Sequence, residues 1–273
     1  IVLIFFLIII FISNSKKLLV RQLQGPIEGT DSIFTIGNKL CVVSKNNQVF
    51  TWQWDNFKKW PIVAKPKAEY IVPINNDRLV YTADSKLVMT DLKAEKELAS
   101  LTLPYGTEPK KLAVSSNSQF GIVASSQKDK IKIALFNSEF TDLPVIFEKD
   151  ANEEKFTLFD YAVNNDGTLV AAAGKKDKAW IFVKDVKNDK ILWEKTFDQY
   201  SQFTIVKFAP DGKSIYAAEK VRFIVYFNAD NGDILRTYEM PEYPTPAHQK
   251  QNISSIVISP DNKILAADTE PAR

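Results

Sequence analysis

The stretch FTIVKFAPDGKSIYAAEKVRFIVYFNADNGDILRTYEM, Phe203 to Met240, decides how the chain reads. It divides into four short runs separated by turn signals. Phe203–Phe208 leads into Pro210-Asp211-Gly212-Lys213, and Ser214–Glu219 follows. Arg222–Phe227 is almost wholly apolar, and Asp230-Asn231-Gly232 separates it from Ile234–Met240. Asp-Gly and Asn-Gly supply the positive φ that tight turns need. The spacing predicts four antiparallel strands joined in order as one unit.

The same unit recurs along the chain. Its first turn occurs as INNDRLVYTAD (74–84), SSNSQFGIVAS (115–125), NNDGTLVAAAG (164–174), APDGKSIYAAE (209–219) and SPDNKILAADT (259–269), with a weaker copy in TIGNKLCVVSK (35–45). Asp77, Asn117, Asp166, Asp211 and Asp261 occupy equivalent positions, 40, 49, 45 and 50 residues apart. A period of about 40–50 residues with four short strands per unit is that of propeller blades. The third strands, QVFTWQWD (48–55), KLVMTDL (86–92), KIKIALF (130–136), KAWIFVKD (178–185) and RFIVYFN (222–228), stay in phase. Several are apolar on both faces, as strands buried between neighbouring sheets must be. The fourth strands, such as ILWEKTF (191–197) and ILRTYEM (234–240), are more polar and suit an outer edge. No later stretch carries helical periodicity over three turns, so the body is all-β.

From Ser32 to its end the chain resembles the WD40-repeat and related seven-bladed propeller families. The resemblance rests on the turns Ala209-Pro210-Asp211-Gly212 and Ser259-Pro260-Asp261-Asn262, on Trp54-Asp55 closing a third strand, and on Asn228–Arg236, which is similar to the "D-x-x-T-G-K-x-L" turn. The Gly-His dipeptide of standard WD40 repeats is missing, and with it that family's His–Asp network. ILWEKTF also looks like a quinoprotein-type repeat, so a YVTN- or quinoprotein-like propeller stays open beside the WD40 one. Five complete blades and a partial sixth are expected in residues 32–273, with further sequence completing a seven-bladed ring; a strand from Leu18–Gln22 is the alternative closure.

Residues 1–12, IVLIFFLIIIFI, are apolar without a break. As a helix they span only ~18 Å, against the ~20 residues that cross a bilayer. They read as an N-terminal hydrophobic helix. It is either the tail of a membrane anchor or the core of a signal peptide, with Ser13 and Ser15 spaced as a cleavage site. Lys16, Lys17 and Arg21 follow, but the positive-inside rule compares two flanks and only one is visible. The expected organisation is an anchor or signal segment over 1–22, a linker over 23–31 and a propeller over 32–273. The expected location is membrane-associated, secretory or periplasmic, with the propeller on the extracytoplasmic side.

The polar chemistry is thin. The chain has 273 residues, a net charge of +2, one cysteine and one histidine. So balanced a charge does not suggest a nucleic-acid partner. Cys41 lies inside the apolar run Leu40–Val43 and reads as a small buried residue. His248 sits in the Pro-rich connector PEYPTPAHQKQN (241–252), with no partner for nucleophilic or general-base work. One histidine and one cysteine cannot make a zinc site. Asp166, Asp211 and Asp261 are explained by turn geometry. Asp150, Glu153 and Glu154 form an acidic loop without the glycine of a calcium loop. Among nine glycines there is no phosphate-loop motif. Lysines cluster at Lys58-Lys59, Lys110-Lys111, Lys128/Lys130/Lys132 and Lys175-Lys176/Lys178, each read as a turn or strand end. They serve either as solvated edge protection or as a basic rim toward an anionic membrane. Asn252-Ile253-Ser254 is a glycosylation sequon in a eukaryotic secretory setting. Trp52 and Trp54 read as core, whereas Phe57 and Trp60 fall in the following turn as candidate protein-contact residues.

No catalytic, cofactor-binding or metal-binding residue is expected. The functional expectation is a non-catalytic, membrane-tethered scaffold or accessory subunit that binds protein partners. The alternatives are an exported quinoprotein- or lactonase-like propeller enzyme, or an envelope assembly factor.

Overall fold

The computed structural model describes residues 6–12, 18–24, 30–36, 39–44, 48–53, 63–64, 70–75, 77–91, 96–104, 108–128, 130–150, 156–240 and 251–271. Every regular element among them is a β-strand. Five sheets have four strands each, joined in chain order. Residues 1–84 and 88–98 form one compact unit, and residues 85–87 and 99–273 a second.

In the first unit β1 (Phe6–Ile12) pairs antiparallel with β2 (Leu18–Gln24), from Phe6↔Gln24 to Ile12↔Leu18. The sequence reading places a helix over residues 1–12; residues 1–5 lie outside the described residues, and residues 6–12 form β1. Ile8, Ile9, Ile10 and Ile12 are β-branched and favour a pleated backbone. β2, considered above as a closing strand for the propeller, is this hairpin's other half. Among the described residues no helix is long and apolar enough to cross a membrane. The next sheet holds β3 (Thr30–Ile36), β4 (Lys39–Ser44), β5 (Gln48–Gln53) and β6 (Val63–Ala64). β7 (Ile71–Ile74), β8 (Arg78–Ala83), β9 (Lys86–Asp91) and β10 (Glu97–Thr102) make another. Cys41, Val43 and Val49 pack with Ile71 and Leu79 as one core. Cys41 is the small buried residue expected, and burial pushes its thiol up to about 12 against a smaller opposing pull from Lys39.

The second unit contains three complete four-stranded sheets. They are β11 (Glu108–Val114), β12 (Phe120–Gln127), β13 (Lys130–Asn137) and β14 (Val145–Asp150); β15 (Phe156–Val163), β16 (Leu169–Lys176), β17 (Lys178–Asp185) and β18 (Lys190–Phe197); and β19 (Phe203–Phe208), β20 (Ser214–Glu219), β21 (Phe223–Asn228) and β22 (Ile234–Glu239). A two-stranded sheet, β23 (Gln251–Ile258) and β24 (Leu265–Pro271), follows. The architecture is that of a β-propeller, and the four strands expected in Phe203–Met240 are all present.

These sheets are stacked face to face. Ala113, Ile122, Ala124 and Ile133 meet Tyr161, Val163, Ala172 and Phe182 of the next sheet. The far side of that sheet, through Ala171, Ala173, Ile181 and Val183, meets Phe203, Val206, Ala217 and Phe227. Ile205, Tyr216, Ala218 and Ile224 then meet Ile253 and Ile256. β16 and β17 are therefore buried on both faces along five consecutive residues, while β22 is exposed along most of its length.

One irregularity repeats to the residue. In β3, β11, β15, β19 and β23 a single residue drops out of register with the second strand: Asp31, Lys110, Phe159, Thr204 and Ser254. The last four each lie seven positions before Asn117, Asp166, Asp211 and Asp261. Such bulges bend a strand and free a ladder hydrogen bond.

The closest backbone approach is at Gly174, where a Cβ would lie 1.9 Å from the Thr157 carbonyl oxygen. Gly174→Ala should cost about 2–3 kcal/mol, because the neighbour is backbone and cannot swing aside. Gly212→Ala meets nothing nearer than 3.8 Å and suffers only from its φ of +69°, a cost of about 1 kcal/mol. Denaturant unfolding of both variants checks the order; equal losses would refute it.

Candidate functional site

The turns after the first strands form the most regular polar surface of the second unit. Asp166 Oδ1 accepts from the Thr168 N–H at 3.0 Å and its hydroxyl at 2.6 Å. Asp211 Oδ1 accepts from Lys213 N–H at 2.9 Å, Asp261 Oδ1 from Lys263 N–H at 3.2 Å, and Asn117 Oδ1 from Gln119 N–H at 3.1 Å. The predicted turn role of the three aspartates is what the structure shows. Two of them are held below the usual carboxylate range. For Asp166 the Thr168 hydroxyl is the main cause, and for Asp261 the Ser259 hydroxyl.

Successive turns are also tied to each other. The Ser116 hydroxyl and Asn117 N–H both donate to Asn165 Oδ1, at 2.8 and 3.0 Å. Asn117 Nδ2 donates to the Asn165 carbonyl at 2.8 Å, and Asn165 Nδ2 to the Pro210 carbonyl at 2.8 Å. Asn262 Nδ2 reaches Asp211 Oδ2 at 3.4 Å. Four sheets thus present their turns as one linked row. Exposed Asn117, Asp166, Asp211, Lys213, Asp261 and Lys263 decorate it.

A second set of polar residues lies among the first strands. Asp160, fully buried on β15, accepts from Lys111 Nζ of β11 at 2.6 Å and from Val206 N–H of β19 at 2.9 Å. The adjacent Tyr161 hydroxyl donates to the Lys111 carbonyl and accepts from Ala124 N–H at 3.0 Å. Lys111 and Ala124 are register partners next to the β11 bulge, so Tyr161 occupies the ladder bond that the bulge frees. Asp160 instead takes the Val206 N–H on the edge of β19 away from β20, two residues past the β19 bulge.

An aromatic group lies on β20–β22. Tyr216 and Tyr226 stack at 4.5 Å, and the Arg236 guanidinium lies 4.8 Å from the Tyr238 ring. Burial pushes the Tyr216 hydroxyl up to about 12.

Phe57 and Trp60, the expected protein-contact residues, lie outside the described residues, as do Trp54, His248, Glu153 and Glu154. Trp52 is core, 3% exposed, and stacks on Phe50. Lys128 and Lys130 flank one hairpin, and Lys175 and Lys178 another. Lys110 and Lys111 depart from the sequence reading: they sit within β11, at its bulge, because Lys111 is drawn to Asp160. Among the described residues no group of three His, Cys, Asp or Glu side chains could hold a metal ion. The Asp160 cluster is absent from the sequence reading. Its one visible sign is a lone acid inside the apolar strand FTLFDYAV.

No family model matches the chain, and no curated protein matches it in sequence. Its fold is common, with 1514 solved chains similar to it, so the likeness selects no single activity. One is a chain of Kuenenia stuttgartiensis hydrazine synthase, at a TM-score of 0.68 and 14% identity, covering 88% of this chain and 73% of that one. At that identity the likeness is one of fold, the β-propeller.

Two outcomes follow from these geometries. Asp160→Asn should cost about 2–3 kcal/mol in denaturant unfolding, less than a fully buried pair because Lys111 is 39% exposed; a loss below about 0.5 kcal/mol would show the pair to be idle. Asp166 has a folded pKa below its unfolded one, so its contribution is complete above the carboxylate range and is lost as pH falls through the folded value. The stability gap between wild type and Asp166→Asn should therefore narrow below pH 3.8, the ordinary value. A gap constant with pH would refute this assignment.

Proposed function

We propose that the chain is a non-catalytic propeller module that binds other proteins, held at a membrane by the apolar run of residues 1–12. It acts as a scaffold or accessory subunit of a membrane complex, on the extracytoplasmic side. The observation that carries this reading is the linked row of turns. Ser116, Asn117, Asn165, Pro210, Asp211 and Asn262 lock four adjacent turns together, leaving their outward side chains in fixed relative positions. A surface ordered in advance loses little freedom when a partner docks, and that favours binding. Charged side chains of both signs, Asp166, Asp211 and Asp261 beside Lys213 and Lys263, give the row the polarity of a specific protein contact rather than of a lipid surface. Phe57 and Trp60 are the proposed apolar anchors, as large aromatics that the sequence reading places in a turn.

Affinity capture from gently solubilised membranes, read by mass spectrometry, tests this function. The expected result is a defined set of companions in fixed ratio. Phe57→Ala with Trp60→Ala should reduce their recovery about tenfold or more, the scale of a lost anchor. A monomer without companions, or a chain recovered wholly in the soluble fraction, would overturn the reading.

A further inference from the structure

The turn between β21 and β22 holds the chain's one Asn-Gly pair, Asn231-Gly232. An asparagine side-chain carbonyl followed by glycine is open to attack by the glycine backbone nitrogen, because no Cβ shields that nitrogen. Here both reacting groups are committed elsewhere. Gly232 N–H donates to the Asn228 carbonyl at 3.0 Å. Asn231 Oδ1 accepts from Asp233 N–H at 3.0 Å, and its Nδ2 donates to Asp233 Oδ2 at 2.8 Å. The neighbouring sheet then clamps the turn. Trp193 of β18 lies so close to Gly232 that a Cβ there would meet its ring at 2.6 Å. The Trp193 indole N–H donates to the Ala229 carbonyl at 2.7 Å, and Lys195 Nζ donates to the Gly232 carbonyl at 2.8 Å. Asn231 itself is exposed, so water reaches it.

We propose that Asn231 is a covalent modification site whose reaction is gated by Trp193 and Lys195 of the adjacent sheet. When the outer edge of β19–β22 lifts from β18, Gly232 N–H leaves the Asn228 carbonyl and its nitrogen turns onto Asn231 Cγ. That nitrogen gives up its proton and bonds to Cγ, the Cγ–Nδ2 bond breaks, and Nδ2 leaves as ammonia. Water then opens either carbonyl of the cyclic imide, giving aspartate or isoaspartate. The balance is one water taken up and one ammonia released, with no oxidant or reductant. Asp166-Gly167 and Asp211-Gly212 have no amide to lose, so the site is Asn231 alone among these turns. The product sets a carboxylate where Asn231 Nδ2 now donates to Asp233, with Asp230 adjacent. Two like charges then face each other, and the turn does not re-form as before. The reaction is therefore a one-way record of how often this edge has opened.

The test is storage of the whole chain in mildly alkaline buffer below its unfolding temperature. Peptide mass spectrometry with chromatography resolves the asparagine, aspartate and isoaspartate forms. In urea, Asn231 should be the first asparagine of the chain to react. In the folded wild type its conversion should be about tenfold slower or more, because opening of the edge limits it; this comparison needs no variant. Lys195→Met removes one clamp and Trp193→Phe another, and each should convert severalfold faster than the wild type while circular dichroism shows it folded. Asn231→Asp, the product made by substitution, should lower Tm by about 2–4 °C. The proposal fails if the folded wild type converts as fast as the chain in urea, if both folded clamp variants convert at the wild-type rate, or if Asn231→Asp leaves Tm unchanged.

Discussion

Sheet β15–β18 has two apolar faces, and neither can be left to water. Ala171, Ala173, Ile181 and Val183 look one way, and Ala172, Trp180 and Phe182 the other. A single sheet bearing both sets could not persist alone, so its neighbours are part of its fold. The rest of the second unit follows from that constraint. Alanines are frequent in the second strands because two sheets must approach closely there. Gly174 is the extreme case, with no room for any side chain beside the Thr157 carbonyl. The larger residues, Trp180, Phe182, Phe203 and Phe227, fill the space between sheets and contact one another edge-on or tilted.

Much of this could be read before any coordinates. Asp-Gly and Asn-Gly turns fix where strands end, and doubly apolar third strands fix which strands are covered. The four strands of Phe203–Met240 are found within about a residue of where the turn signals put them. What escaped the reading is whatever depends on contacts between repeats. The bulge at Thr204 leaves no mark in FTIVKF, since a residue that drops out of register looks like its neighbours. Asn165 looks like ordinary turn chemistry, yet it holds the turns on either side. Asp160 is one carboxylate among many in the sequence, and its partners lie 49 and 46 residues away. The hydrophobic N-terminal run illustrates a different limit. An unbroken apolar run carries no periodicity, so composition alone does not choose between helix and strand.

The polar features divide by what they support. The turn row is exposed, repetitive and linked by side-chain hydrogen bonds. The inner-strand cluster is enclosed and charged, and it occurs once. Repetition made the first and a departure from repetition made the second. At the position of Lys111 and Asp160, the next sheets carry Ile205 and Ser255, which cannot form an ion pair.

The two-sided packing also sets the order in which the molecule loosens. Sheet β15–β18 is covered on both faces, by β11–β14 on one side and β19–β22 on the other. Because each sheet draws its stability from its immediate neighbours, a sheet covered on both faces opens only after a neighbour has gone, as in other repeat architectures. The amide protons of β16 and β17 are then released only when a neighbouring sheet has already gone. These two strands serve as the chain's slowest-exchanging memory of its native state.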